Sequence, residues 1–135
     1  MLLGLFLAFA VQAAPKPVET IVIDMMSQID EPMQAAARAP AEWEALWRKH
    51  GGDAAVPKVD FGSRIVVAVF MGTRPSAGYA VEITGTRHEH GATIVEYRER
   101  RPERGQIAAQ ILTSPAHIAT IPKVSGEIRF EKVER

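Results

Sequence analysis

The run RIVVAVFMGTRPSAGYAVEI, residues 64–83, decides the fold. Its first part, Arg64 to Met71, is unbroken, apolar and rich in β-branched residues, which predicts a central strand covered on both faces. Its last part, Tyr79 to Ile83, alternates. Tyr79, Val81 and Ile83 face one way, Ala80 and Glu82 the other, as in a half-buried strand. Between them lie Gly72, Pro75, Ser76 and Gly78, the residue types that shape a turn. Pro75 lowers the entropy of ordering this loop, and Gly78 permits a positive φ or a close backbone approach.

The same strand pattern recurs outward from this run. Thr20 to Met25 is β-branched and apolar. Thr93 to Glu99 points Val95 and Tyr97 inward, after a turn at His90-Gly91-Ala92. Gln106 to Leu112 and His117 to Ile121 read as two short strands around Ser114-Pro115, and Gly126 to Val133 closes the chain with Ile128 and Phe130 inward. Ser27 to Ala39 is bracketed by Pro32 and Pro40 and reads as a strand pair or an irregular segment. Pro40 to His50 is the clear helix. Pro40 suits its first position, Gly51-Gly52 its end, and Trp43, Leu46, Trp47 and His50 form one stripe that anchors it in the core. The expected class is α+β and mostly β. About seven or eight strands should pair as antiparallel meanders, curled into a sandwich or open barrel with one amphipathic helix over an end or face.

With 135 residues, 47% of them hydrophobic, the chain has the size and composition of one globular domain. Lys plus Arg and Asp plus Glu number 16 each, so no global charge draws it to nucleic acid or an anionic membrane. It has no cysteine, which removes disulfides and thiolate chemistry. Leu2 to Val11 is an apolar run of signal-peptide length, too short to span a bilayer, and Val11 and Ala13 suit cleavage after Ala13. No Lys or Arg precedes it. The expected organisation is a signal peptide over residues 1–13, a leader and first strand over 14–26, and one domain over 27–135. The mature protein is expected to be periplasmic or secreted, with no stable membrane anchor.

Catalytic signatures are weak. Ser76, Ser114 and His117 occur without a nucleophile elbow, and GTRPSAG lacks the Lys-Ser/Thr ending of a phosphate loop. No enzyme activity and no cofactor are expected. His88 and His90 would share one strand face and are the residues to consider for a metal, against a plain reading as a polar loop tip. Arg98, Arg100, Arg101 and Arg104 are interleaved with Glu96, Glu99 and Glu103, the pattern of a solvated surface and not of a nucleic-acid site.

Several motifs carry a family resemblance. Glu42-Trp43 and Leu46-Trp47 stand on the helix, and Val59-Asp60-Phe61 precedes the central strand. Gly72-Thr73-Arg74-Pro75-Ser76-Ala77-Gly78-Tyr79 follows, then Gln110 to Pro115 and Ile121-Pro122. In this order they resemble the C-terminal domain of the protease complex subunit PrcB family, over most of residues 27–130. Ala77 stands where the family has a glycine, and Ala116 where it has an aromatic. The resemblance implies a non-enzymatic accessory module whose partner is a protein, possible partners including a protease. The family's lipoprotein member needs a cysteine for its anchor, and this sequence has none. Pro75, Gly78 and Tyr79 also look like one loop of the chagasin-type inhibitors of cysteine peptidases, without the flanking Asn and Trp. Both resemblances centre on one loop, so Arg74, Pro75, Ser76, Gly78 and Tyr79 are the expected partner contacts. A small-ligand or metal-binding domain is the alternative.

Overall fold

The computed structural model describes Gly4, residues 17–52 and residues 54–134. The expected signal peptide, residues 1–13, lies outside the described residues apart from Gly4. Seven strands and one helix follow in the order β1 (Glu19–Asp24), β2 (Met33–Ala37), α1 (Pro40–His50), β3 (Arg64–Phe70), β4 (Ala80–Glu89), β5 (Ala92–Arg100), β6 (Ala116–Pro122) and β7 (Ile128–Lys132). The strands form two open sheets, β1-β6-β3-β2 and β4-β5-β7.

Strand β3 explains the stacking. Alternate side chains point to opposite faces of a strand. Val66, Ala68 and Phe70 meet Trp43, Leu46 and Trp47 of α1. Ile65, Val67 and Val69 meet Val81, Ile83, Val95 and Tyr97 of the second sheet. The molecule is therefore three layers: helix, four-stranded sheet, three-stranded sheet. The helix covers a face of the sandwich, and the doubly apolar run of β3 lies in the middle layer.

Helix α1 begins at Pro40 and ends where Gly51 takes φ 98 and donates its N–H to the Arg48 carbonyl. Trp43 and Trp47 satisfy their indole N–H groups on the carbonyls of Pro57 and Ala54, at 2.8 and 3.2 Å. The β4–β5 hairpin turns through His90 (φ 50) and Gly91 (φ 79), both left-handed, as a two-residue turn matched to strand twist requires. Among the described residues no helix is long and apolar enough to cross a membrane.

Three expectations are corrected. Gln106 to Leu112 is not a strand. It lies in an irregular segment between β5 and β6, with Ile107, Ile111 and Leu112 turned to solvent. Ser27 to Ala39 supplies a single strand, β2, and not a pair. The sheets are not simple meanders either. β6 crosses over to lie between β1 and β3, and β7 pairs parallel to β5. The covering helix and the long 101–115 connection allow non-neighbours in sequence to become neighbours in space.

Candidate functional site

Register puts three loops at one end of the sandwich. Asp24 of β1 and Phe70 of β3 both pair with Ala116 of β6, and Met33 of β2 pairs with Phe70. Ala80 at the start of β4 pairs with Arg100 at the end of β5. The segments 25–32, 71–79 and 101–115 leave from these strand ends.

Backbone hydrogen bonds lace the loops together. Arg74 and Thr113 exchange two, at 2.7 and 3.0 Å. Ala77 N–H donates to the Ala109 carbonyl at 3.0 Å, and Thr73 N–H to the Asp30 carbonyl at 2.9 Å. Ser114 N–H donates to the Met25 carbonyl at 2.7 Å. Thr113 Oγ1 donates to the Ser76 carbonyl at 2.9 Å. Gly72 takes φ 78 so tightly that a Cβ would lie 2.8 Å from Pro32 N, and a Cβ on Gly78 (φ 95) would lie 2.9 Å from Pro102 Cγ. The loop that drew attention in the sequence is thus built into its neighbours and held in one shape.

Of the five expected contacts, Pro75 and Gly78 are exposed, and Arg74, Ser76 and Tyr79 are half-buried. The Arg74 guanidinium lies 5.7 Å above the Tyr79 ring. Its Nε is buried and finds no hydrogen-bond partner among the described residues. Tyr79 also packs against the core shared by the two sheets, so it is partly structural.

Sequence reasoning missed the surroundings of this loop. The exposed large hydrophobics among the described residues are Ile23, Met25, Met26, Ile107, Ile111 and Leu112, and all of them lie at this end. Ile107 is 99% exposed and Met26 65%. Apolar side chains scattered singly over a surface need no explanation, but a set gathered at one end does. The apolar content of 106–112 was the available signal, and it pointed to a strand because exposure cannot be read from a short run.

Two buried histidines brace this half of the molecule. His117 Nδ1 accepts the Ile83 N–H at 2.8 Å, tying β6 of one sheet to β4 of the other. Its proton is therefore on Nε2, which donates to Thr20 Oγ1 at 2.9 Å. Burial lowers the His117 pKa, and Glu82 opposes this more weakly. His50 Nδ1 lies 2.8 Å from Ser27 Oγ, and its Nε2 3.3 Å from Asp24 Oδ2. Burial lowers the His50 pKa as well, opposed by Asp24. Asp24, His50 and Ser27 have the residue types of a hydrolytic triad. Ser27 is only 6% exposed, and its Oγ also accepts the Ile29 N–H. A substrate carbonyl cannot reach this hydroxyl, and the set acts as a clamp between β1, the following loop and α1. Ser76 donates to the Ala77 carbonyl and Ser114 to the Ile29 carbonyl, so neither serine has a base.

His88 and His90 do not share a strand. His88 sits on β4 with Nδ1 3.2 Å from Thr93 Oγ1, and His90 occupies the hairpin turn beyond the strand. Among the described residues no group of three or more His, Asp or Glu is placed to hold a metal ion. Elsewhere, an open apolar groove of about 350 Å³ runs between α1 and the 56–61 segment, lined by Trp43, Val56, Pro57, Val59 and Phe61. Glu44 and Lys58 also line it, and Glu44 is held by Arg48.

No curated protein matched the chain, and no solved structure matched it. Residues 65–122 match the family model described as PrcB C-terminal. The helix tryptophans and Val59-Asp60-Phe61 lie outside that span. The resemblance to the PrcB C-terminal family therefore holds over residues 65–122, which contain both the 71–79 and the 101–115 loops.

Proposed function

We propose that this chain is a non-enzymatic protein-interaction module that docks through the 25–32, 71–79 and 101–115 loops. The observation that carries the reading is the gathering of the exposed large hydrophobics around a loop pair fixed by hydrogen bonds. A surface already ordered loses little conformational entropy on binding. Met, Tyr and Arg, enriched in interface cores, are represented by Met25, Met26, Tyr79 and Arg74.

The PrcB resemblance supports a protease as the partner, with the chain as an accessory subunit that stabilises or regulates it. Export to the periplasm or beyond is part of the proposal and rests on the apolar run over residues 2–11. The chagasin-like motif supports a narrower variant in which the loops occlude a peptidase cleft. Tagged mature protein, expressed in the cells that make it, tests the reading. Co-purification of a peptidase with the wild type, lost on Ile111→Ser and retained on a distant change such as Ser125→Ala, is the expected result. Equal capture by all three proteins would refute docking at this end. Peptidase activity measured with and without added chain separates the inhibitor from the stabiliser.

A further inference from the structure

The exposed arginines differ in whether a carboxylate holds them. Arg48, Arg87, Arg98 and Arg129 each hold a carboxylate, from Glu44, Glu131, Glu82 and Glu127. Arg100, Arg101 and Arg104 are exposed and have no acidic partner among the described residues. They stand at the root of the loop that carries Ile107, Ile111 and Leu112. Pro102, between Arg101 and Arg104 in the chain, packs against Gly78, so this basic stretch runs beside the 71–79 loop. Asp24, Asp30 and Glu31 lie on the side of the 25–32 segment, where Thr73 Oγ1 donates to Asp30 at 3.0 Å. Glu103 interrupts the basic flank, and Glu134 and Glu99, the latter held by Lys132 at 3.6 Å, line a groove with Arg101.

From this asymmetry we infer that the partner presents an acidic and apolar segment, its hydrophobic side chains against Ile107, Ile111 and Leu112 and its carboxylates against Arg100, Arg101 and Arg104. The inference rests on the docking reading above and adds the chemistry of the occupant. Guanidinium groups suit it, because they meet carboxylates in a bidentate fork and are weakly hydrated. Complementary charge at a rim governs encounter and selects among partners more than it sets affinity. An anionic bilayer is the weaker match. Lipid-binding basic clusters use about four to eight like charges, and here three arginines are interrupted by a glutamate.

The test is panning of a random peptide library displayed on phage against the immobilised mature chain, and against the double variant Arg101→Glu/Arg104→Glu. Peptides selected by the wild type should be enriched in Asp and Glu beside Leu, Ile or Phe. Recovery of those peptides should fall about tenfold on the variant, a loss of about 1.4 kcal/mol. Selection of basic peptides, no selection over the library background, or equal recovery on the variant would overturn the inference. So would binding of phosphatidylglycerol-containing vesicles without peptide selection, or a dimer in sedimentation that Ile111→Ser dissolves. If Ile111→Ser abolishes partner capture and the arginine variant does not, docking stands and the charge assignment fails. If neither changes capture, docking itself fails.

Discussion

Acid should loosen this protein through His117, and the structure gives the sign of the effect. Nδ1 accepts the Ile83 N–H and cannot be protonated without losing that bond. Burial lowers the pKa in the folded state, against the weaker pull of Glu82. Between this lowered value and the ordinary one near 6.5, the unfolded chain binds a proton that the folded protein refuses. Stability is therefore full above about pH 6.5 and falls as pH drops toward the folded pKa. The slope approaches about 1.4 kcal/mol per pH unit for one histidine. His50, also lowered by burial, adds a second contribution in the same direction. The perturbation is His117→Gln, which offers an oxygen to the Ile83 N–H and does not titrate. A companion, His117→Phe, removes the acceptor and should cost a further 1–3 kcal/mol or so at every pH, for a buried donor left unpaired. The assay is urea unfolding from about pH 7.5 to about pH 5. Wild type should lose stability more steeply than His117→Gln below about pH 6.5, by up to one proton's slope. Parallel curves for the two would refute the assignment of His117 as an acid-sensitive tie between the sheets.

Other changes have defined outcomes. Trp43→Ala empties the centre of the helix–sheet layer, where the side chain is 2% exposed, and should cost about 3–5 kcal/mol in chemical denaturation. Gly72→Ala forces a Cβ into backbone atoms of the 30–32 segment at positive φ, so a melting scan should show a loss of more than about 1 kcal/mol. Arg74→Leu removes an unpartnered buried Nε, so the melting temperature should stay level or rise while partner capture weakens; unchanged capture would mark Arg74 as structural only. Saturating zinc should leave the melting temperature unchanged, because no three ligands gather around His88 or His90 among the described residues, and a clear rise would restore the metal reading.

Much of the fold is written in local sequence. The helix is legible because Pro40, the Trp43-Leu46-Trp47 stripe and Gly51 each mark a boundary or a face independently of tertiary context. β3 is legible because a strand buried on both sides needs apolar residues at every position, and residues 65–70 supply them. Gln106 to Leu112 is illegible for the converse reason. Its isoleucines and leucine resemble a strand's inward residues, yet its backbone makes local bonds at Gln106 and Ile111 and one bond to the 71–79 loop, from Ala77 N–H to the Ala109 carbonyl, and these side chains stay in solvent. The parallel pairing of β5 and β7 depends on a return path that no residue encodes alone. The Asp24–His50–Ser27 clamp draws one residue each from a strand end, a helix end and a loop. Only His50 carried a signal, as the last member of the helix stripe, and the signal was for burial. In the candidate site, Pro75 and Gly78 announced a shaped loop. The flanking cluster of Met25, Met26, Ile111 and Leu112 became visible only once register had placed three loops at one end.

The central claim is that this end of the sandwich is where a partner sits. A photo-crosslinking residue placed at Ile107, in the docking loops, or at His90, in the hairpin turn away from them, tests it in the cells that make the protein. The account predicts a discrete crosslinked product from position 107, lost when Ile111→Ser is added, and none from position 90. A product from position 90 with none from position 107 would contradict it.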